Sequence, residues 1–165
     1  MHDADTLLFF DAHPGALPLY TAFLDAARAI TPDLRVKVCK TQISLYARRL
    51  FACVSFTPVR RAADRPKDYI TVTFGLPERV DSPRIDAACQ PSPNRWTHHV
   101  LIAHPEEIDG ELMGWIRQAV AFAGRKLGGR AINRSLTGEG ITMGLCPKPH
   151  QGGSPSLDPA MTDAA

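Results

Sequence analysis

The feature that most constrains this chain is a change of period. Between Val36 and Phe74 apolar residues recur at alternate positions, in the sets Val36 and Val38, Ile43 and Leu45, Ala52, Val54 and Phe56, and Ile70, Val72 and Phe74. Period two marks strands that bury one face. Ala47-Arg48-Arg49 joins the second set to the third, and a polar stretch from Pro58 to Asp68 joins the third to the fourth. Links this short hold neighbouring strands antiparallel, because a parallel return needs a crossover of about a dozen residues or more. Weaker strand patterns at Arg84–Cys89 and Thr97–Ala103 bring the expected sheet to five or six strands.

On either side the period lengthens to that of a helix. Ala16, Tyr20, Phe23, Ala27 and Ile30 form one apolar stripe, with Leu17 and Leu24 widening it. Pro18 suits the first turn of that helix, which places the start of the regular helix near Pro18, the alternative being an earlier start with a kink there. A second stripe, Ile108, Leu112, Trp115, Ala119 and Phe122, follows Pro105-Glu106-Glu107, with acids early and Arg117, Arg125 and Lys126 late, as the helix dipole favours. The fold class read from these patterns is α+β: an antiparallel sheet with an N-terminal and a C-terminal helix on one face.

The 165 residues suit a single domain, expected over residues 1–127. From Gly128 to Ala165 there are 7 Gly and 4 Pro in 38 residues and no periodic apolar face, so residues 128–165 read as a disordered tail. No apolar run is long enough to cross a membrane, and the opening residues lack the basic region of a secretion signal. A cytoplasmic protein without membrane attachment is expected. Cys39, Cys53, Cys89 and Cys146 show no CxxC pairing and read as reduced, structural thiols.

The residues that alternate with the apolar sets include Gln42, Ser44, Tyr46, Cys53, Ser55, Thr71 and Thr73. They make a mostly neutral hydrogen-bonding face, which suits a ligand site or a protein contact and equally the ordinary strand preference for Thr and Tyr. Charge is concentrated. From Arg35 to Lys67 nine Lys and Arg face a single acid, Asp64, although the whole chain carries only +2. Arg48 and Arg49 at one strand end, Arg60 in the next link, and Arg84 and Arg95 beyond, together with Lys40 and Gln42, are the candidate anion-binding residues. Solvated arginines at strand ends would give the same pattern. No zinc-finger spacing, RNP motif or helix-turn-helix accompanies the charge, so sequence-specific nucleic-acid binding is not indicated.

His98 and His99 are neighbours on an expected strand, so they point to opposite faces and do not chelate one metal together. No HxH or HExxH occurs, and neither a metal nor a cofactor is expected. With Ser44 or Tyr46 beside it, either histidine could act as a general base, but no local signature selects such a set.

The runs KTQISLYARRLFACVSFTPVRR, YITVTFGLPERVDSPRI, PNRWTHH and HPEEIDGELMGWIRQA, after the HPGALPLYTAF helix, resemble domain-of-unknown-function family 5655 over about residues 7 to 123. The resemblance implies a small α+β domain of bacterial proteins, standing alone or attached to larger chains including restriction-type systems. It implies no catalytic residue, cofactor or substrate. The chain departs from the family pattern at Ala47, where Asn is common, and at Ala121-Phe122, where the usual ending holds a tyrosine.

The preferred functional reading is a non-catalytic binding module for an anionic small molecule or a nucleic-acid backbone. The alternative is a small hydrolase-like enzyme using His98 or His99. A third reading makes the polar face a protein contact, as in a homodimer.

Overall fold

In a computed structural model of the chain, residues 3–125 are described. The expected tail at 128–165 lies outside the described residues. The elements are α1 (Ala4–Phe9), α2 (Leu17–Ile30), β1 (Arg35–Val38), β2 (Gln42–Tyr46), β3 (Leu50–Ser55), β4 (Ile70–Leu76), β5 (Ala87–Ser92), β6 (Arg95–Ile102) and α3 (Gly110–Gly124), with short 3-10 turns at Pro14–Ala16, Ala62–Asp64 and Pro105–Glu107. The six strands form one sheet in the order β1-β2-β3-β4-β6-β5, every neighbouring pair antiparallel. This is the α+β fold expected from the two periods.

Register explains the apolar face. Val38 is opposite Ile43, Ile43 opposite Val54, Val54 opposite Val72 and Val72 opposite Val100, so one row of branched side chains crosses five strands. Against these rows pack Leu19, Tyr20, Phe23 and Leu24 of α2 and Leu112, Trp115, Ile116 and Ala119 of α3, all members of one core cluster. Deleting one such side chain leaves a void that a close-packed interior fills only in part.

Two helix boundaries differ from expectation. α1 was not foreseen: Asp3 caps it by accepting from the Thr6 N–H at 2.8 Å, but six residues are too few to show a stripe. The last helix begins at Gly110 rather than at Pro105. The Glu107 carboxylate folds back to accept from the N–H groups of Ala103 and His104, at 2.7 and 2.9 Å, which closes Pro105–Glu107 into its own turn. Asp109 then caps α3 by accepting from the Leu112 N–H at 3.0 Å.

β4 and β5 each pair with β6, so they run the same way and are joined by a crossing link, residues 77–86. Val80 and Ile85 of that link pack on the core cluster, which puts the link on the helix side of the sheet. Cys39 and Cys53 are free thiols, whereas Cys89 is disulfide-bonded, so reduction of all four cysteines does not hold. Among the described residues no helix is long and apolar enough to cross a membrane.

Candidate functional site

The turn between β2 and β3, the turn between β5 and β6, the last residues of β4 and the C-terminus of α3 all lie at one end of the sheet, and a cavity of about 680 Å³ opens among them. Its lining is basic and partly apolar. Arg48 and Arg49 enter from the β2–β3 turn, Arg35 from the start of β1, Arg95 from the start of β6 and Arg125 from just past α3. Leu50, Phe51, Ala119, Phe122 and Ala123 supply the apolar wall, and Tyr46, Ser92 and Asn94 add neutral polar groups. No Asp or Glu is among the described lining residues. The size falls in the range of small-molecule sites, roughly 300–1,000 Å³.

Local sequence positions these side chains. In the β5–β6 turn Pro93 contributes a fixed φ, and Asn94 adopts φ 62°, the left-handed conformation that Asn tolerates better than most residues. Gly75 on β4 lies under Arg95: a Cβ there would sit 3.5 Å from the guanidinium, in ordinary van der Waals contact, so Arg95 lies across the strand at that point. Arg35 faces Tyr46 across the β1–β2 pair and donates to the Ala47 carbonyl at 3.1 Å, tying the edge strand to the basic turn. Among the described residues none of the five arginines has a carboxylate at ion-pair distance.

Of the seven anion-binding candidates, the cavity gathers Arg48, Arg49 and Arg95 and leaves four elsewhere. Arg60 pairs with Asp86, whose other carboxylate oxygen accepts from the Leu101 N–H at 2.7 Å on the flank of β6, just ahead of β5. Arg84, on the crossing link, donates to both Asp109 oxygens at 2.6 and 2.7 Å, to Glu111 at 3.3 Å and to the Glu107 carbonyl at 2.6 Å. It fastens the link to the start of α3. The Arg84 hydrogen bond, aided by the Leu112 N–H, holds the Asp109 carboxyl below its usual range. Lys40 and Gln42 sit at the opposite end of β2, where Gln42 donates to the Ser44 hydroxyl at 3.1 Å. Conversely, Arg35, Arg125, Asn94 and Phe122 were not singled out as site residues. Arg35 could have been found by extending the β1–β2 register one pair past Val36, whereas the other three depend on where α3 and the last hairpin end.

The catalytic candidates do not assemble around the cavity either. His98 lies on the helix side, in register with Phe74, its ring stacked on Phe74 at 5.4 Å. Its Nε2 accepts from the Val80 N–H at 3.0 Å, which leaves the proton of the neutral ring on Nδ1. Burial first, then the charges of His99 and Arg79, push it down to about 4. His99 lies on the other face with Nδ1 2.8 Å from the Thr73 hydroxyl, and burial lowers it too. The middle of that face is enclosed: Ser44, Cys53, Ser55, Thr71, Thr73 and His99 are all buried. Thr71 and Tyr69 donate to the Thr57 and Phe56 carbonyls, which ties the link after β3 to this face. Burial raises the Cys53 thiol to about 11, so at neutral pH it is not a thiolate. Of the four catalytic candidates, Tyr46 alone lines the cavity. No metal-ligating cluster of His, Cys, Asp or Glu occurs among the described residues.

Comparison with curated proteins and comparison with solved structures each return no match. The sequence model of one family, described as a domain of unknown function, DUF5655, matches residues 8–123, and the chain belongs to that family.

Proposed function

We propose that this domain is a binding module for an anionic ligand, held at the hairpin end of the sheet. The observation that carries the reading is the set of five arginines around one cavity without a described acid among them. Like charges held close together cost free energy in the empty protein, and a bound anion relieves that cost. Guanidinium groups suit the task because their planar fork meets phosphate or carboxylate oxygens two at a time.

Thermal unfolding in sodium phosphate or sulfate, against sodium chloride at matched ionic strength, tests the proposal. A ligand that binds only the folded state raises the midpoint in a saturable way, whereas screening alone is indifferent to the anion. Arg49→Ala or Arg95→Ala should remove most of the difference between the salts. Arg84→Ala should keep it, because Arg84 faces Asp109 and Glu111 rather than the cavity. Equal midpoints in all three salts would mean that the five arginines are a solvated rim.

A further inference from the structure

Resting on the anion-binding reading, the number of the arginines and the aromatic side chain beside them narrow the ligand. We infer that the site takes a nucleoside polyphosphate: a chain of two or more phosphates joined to an aromatic ring.

Five guanidinium groups around one cavity are more than one small anion engages. Arg35 enters from the start of β1 and Arg95 from the start of β6. Arg49 projects from the turn between them and Arg125 from the end of α3. A single phosphate contacts two or three guanidinium groups, whereas a chain of two or three phosphates offers oxygens to all five.

The second observation is Phe122. It continues the apolar stripe of α3, yet among the described residues it is neither in the core cluster, as Ala119 is, nor packed against it, as Val120 and Ala123 are. It is half-buried and lines the cavity. An aromatic wall beside cationic groups accepts a flat ring by stacking, and every nucleobase offers such a face. Asn94, exposed on its turn, supplies an amide able to meet the edge of a base.

The same surface is poorly built for a long strand of nucleic acid. Arg60 and Arg84 are committed to carboxylates and Lys40 lies at the far end of β2, so these residues do not extend the cavity's charge into a track for a backbone.

Titration calorimetry on the full chain, in magnesium-free buffer, provides the test. The probes are ATP, GTP, AMP, inorganic tripolyphosphate and a twelve-residue oligothymidylate. ATP and GTP should bind at least tenfold more tightly than AMP and at least fivefold more tightly than tripolyphosphate. Phe122→Ala should bring ATP to the level of tripolyphosphate while leaving tripolyphosphate unchanged, and Phe122→Tyr, which keeps the ring, should restore the difference. If tripolyphosphate equals ATP in the unaltered protein, the ring is not recognised and the nucleotide inference falls while the anion reading stands. AMP binding as tightly as ATP would remove the phosphate chain. Oligothymidylate binding above ATP, with affinity rising with length, would replace the nucleotide by a nucleic-acid backbone. Absence of heat and of any midpoint shift with all five probes would sink both readings. Unfolding midpoints of the two Phe122 variants show whether either change acts through the fold.

Discussion

Arg84 and Arg49 look alike in the sequence, each beside a strand end, yet they belong to two regions built on opposite plans. Where the crossing link meets α3, positive charge is consumed: Arg84 is held by Asp109, Glu111 and the Glu107 carbonyl, and Arg60 by Asp86. The same region carries the aromatic stack in which Trp115 lies on Phe74 at 6.0 Å and Phe74 on His98 at 5.4 Å. At the hairpin end five arginines are left without carboxylate partners among the described residues, beside a half-buried phenylalanine. One region spends its interactions on the fold, and the other keeps them available. Basic residues therefore carry different information according to what faces them, and a count of charges does not distinguish the two cases.

That contrast predicts a gradient of stability effects. The largest should come from Trp115→Ala, about 3–5 kcal/mol by denaturant unfolding, because the side chain is buried against Phe74 and the rest of the core. A near-zero loss would show that α3 is not anchored and would remove the packed side of the comparison.

Next in size is the acid sensitivity of His98. Its folded value is about 4 against an ordinary 6.5, so as pH falls the unfolded chain takes up the proton first. The stability from burying the neutral ring is fully present above about pH 6.5 and is lost as pH falls toward 4. The loss amounts to about 3 kcal/mol at most. His99, lowered by burial as well, acts in the same direction. Unfolding free energy measured from pH 4 to 7 should slope accordingly. His98→Gln, which keeps an acceptor for the Val80 N–H, should flatten the slope, and an unchanged slope would assign the effect to other groups.

Arg84→Ala should cost about 1 kcal/mol, since it takes the guanidinium away from the half-exposed Asp109 and Glu111 carboxylates and from the Glu107 carbonyl, while the response to phosphate survives. The smallest change in stability belongs to Arg49→Ala, within about 0.5 kcal/mol for an exposed side chain. That variant should nevertheless lose most of the midpoint gain from phosphate. The two arginine variants thus exchange roles, one altering the fold and the other the anion response. Equal behaviour of the pair in both measurements would erase the distinction between the regions.

Much of the fold was legible because burial on one face writes a period into the chain. Strands β2, β3 and β4 and helix α2 follow directly from alternate apolar residues and from the stripe Ala16, Tyr20, Phe23, Ala27 and Ile30. The order of the last three strands was not legible. A link of ten residues can lead β4 to either neighbouring place, and its course was fixed by Val80 and Ile85 packing on the helix side and by Arg84 reaching α3. The site was less legible than the fold. Arg48, Arg49 and Arg95 stood out as strand-end arginines, but so did Arg60 and Arg84, and a linear chain does not say which guanidinium groups have an acid across from them.

Phe122 shows the same division within a single residue. Its spacing predicts a core position, and its helix forms as that spacing requires. Near the end of α3, between Ala119 in the core and Ala123 packed against it, the side chain lines a cavity instead. The sequence by itself determined the two periods, the antiparallel pairing and the opposite facing of His98 and His99, because each follows from backbone geometry over a few residues. Tertiary structure alone decided which arginines are neutralised, which histidine is wedged under the crossing link and which apolar side chain is left to line a cavity. Each of those outcomes depends on groups far apart in the chain whose meeting is set by the packing of the whole sheet.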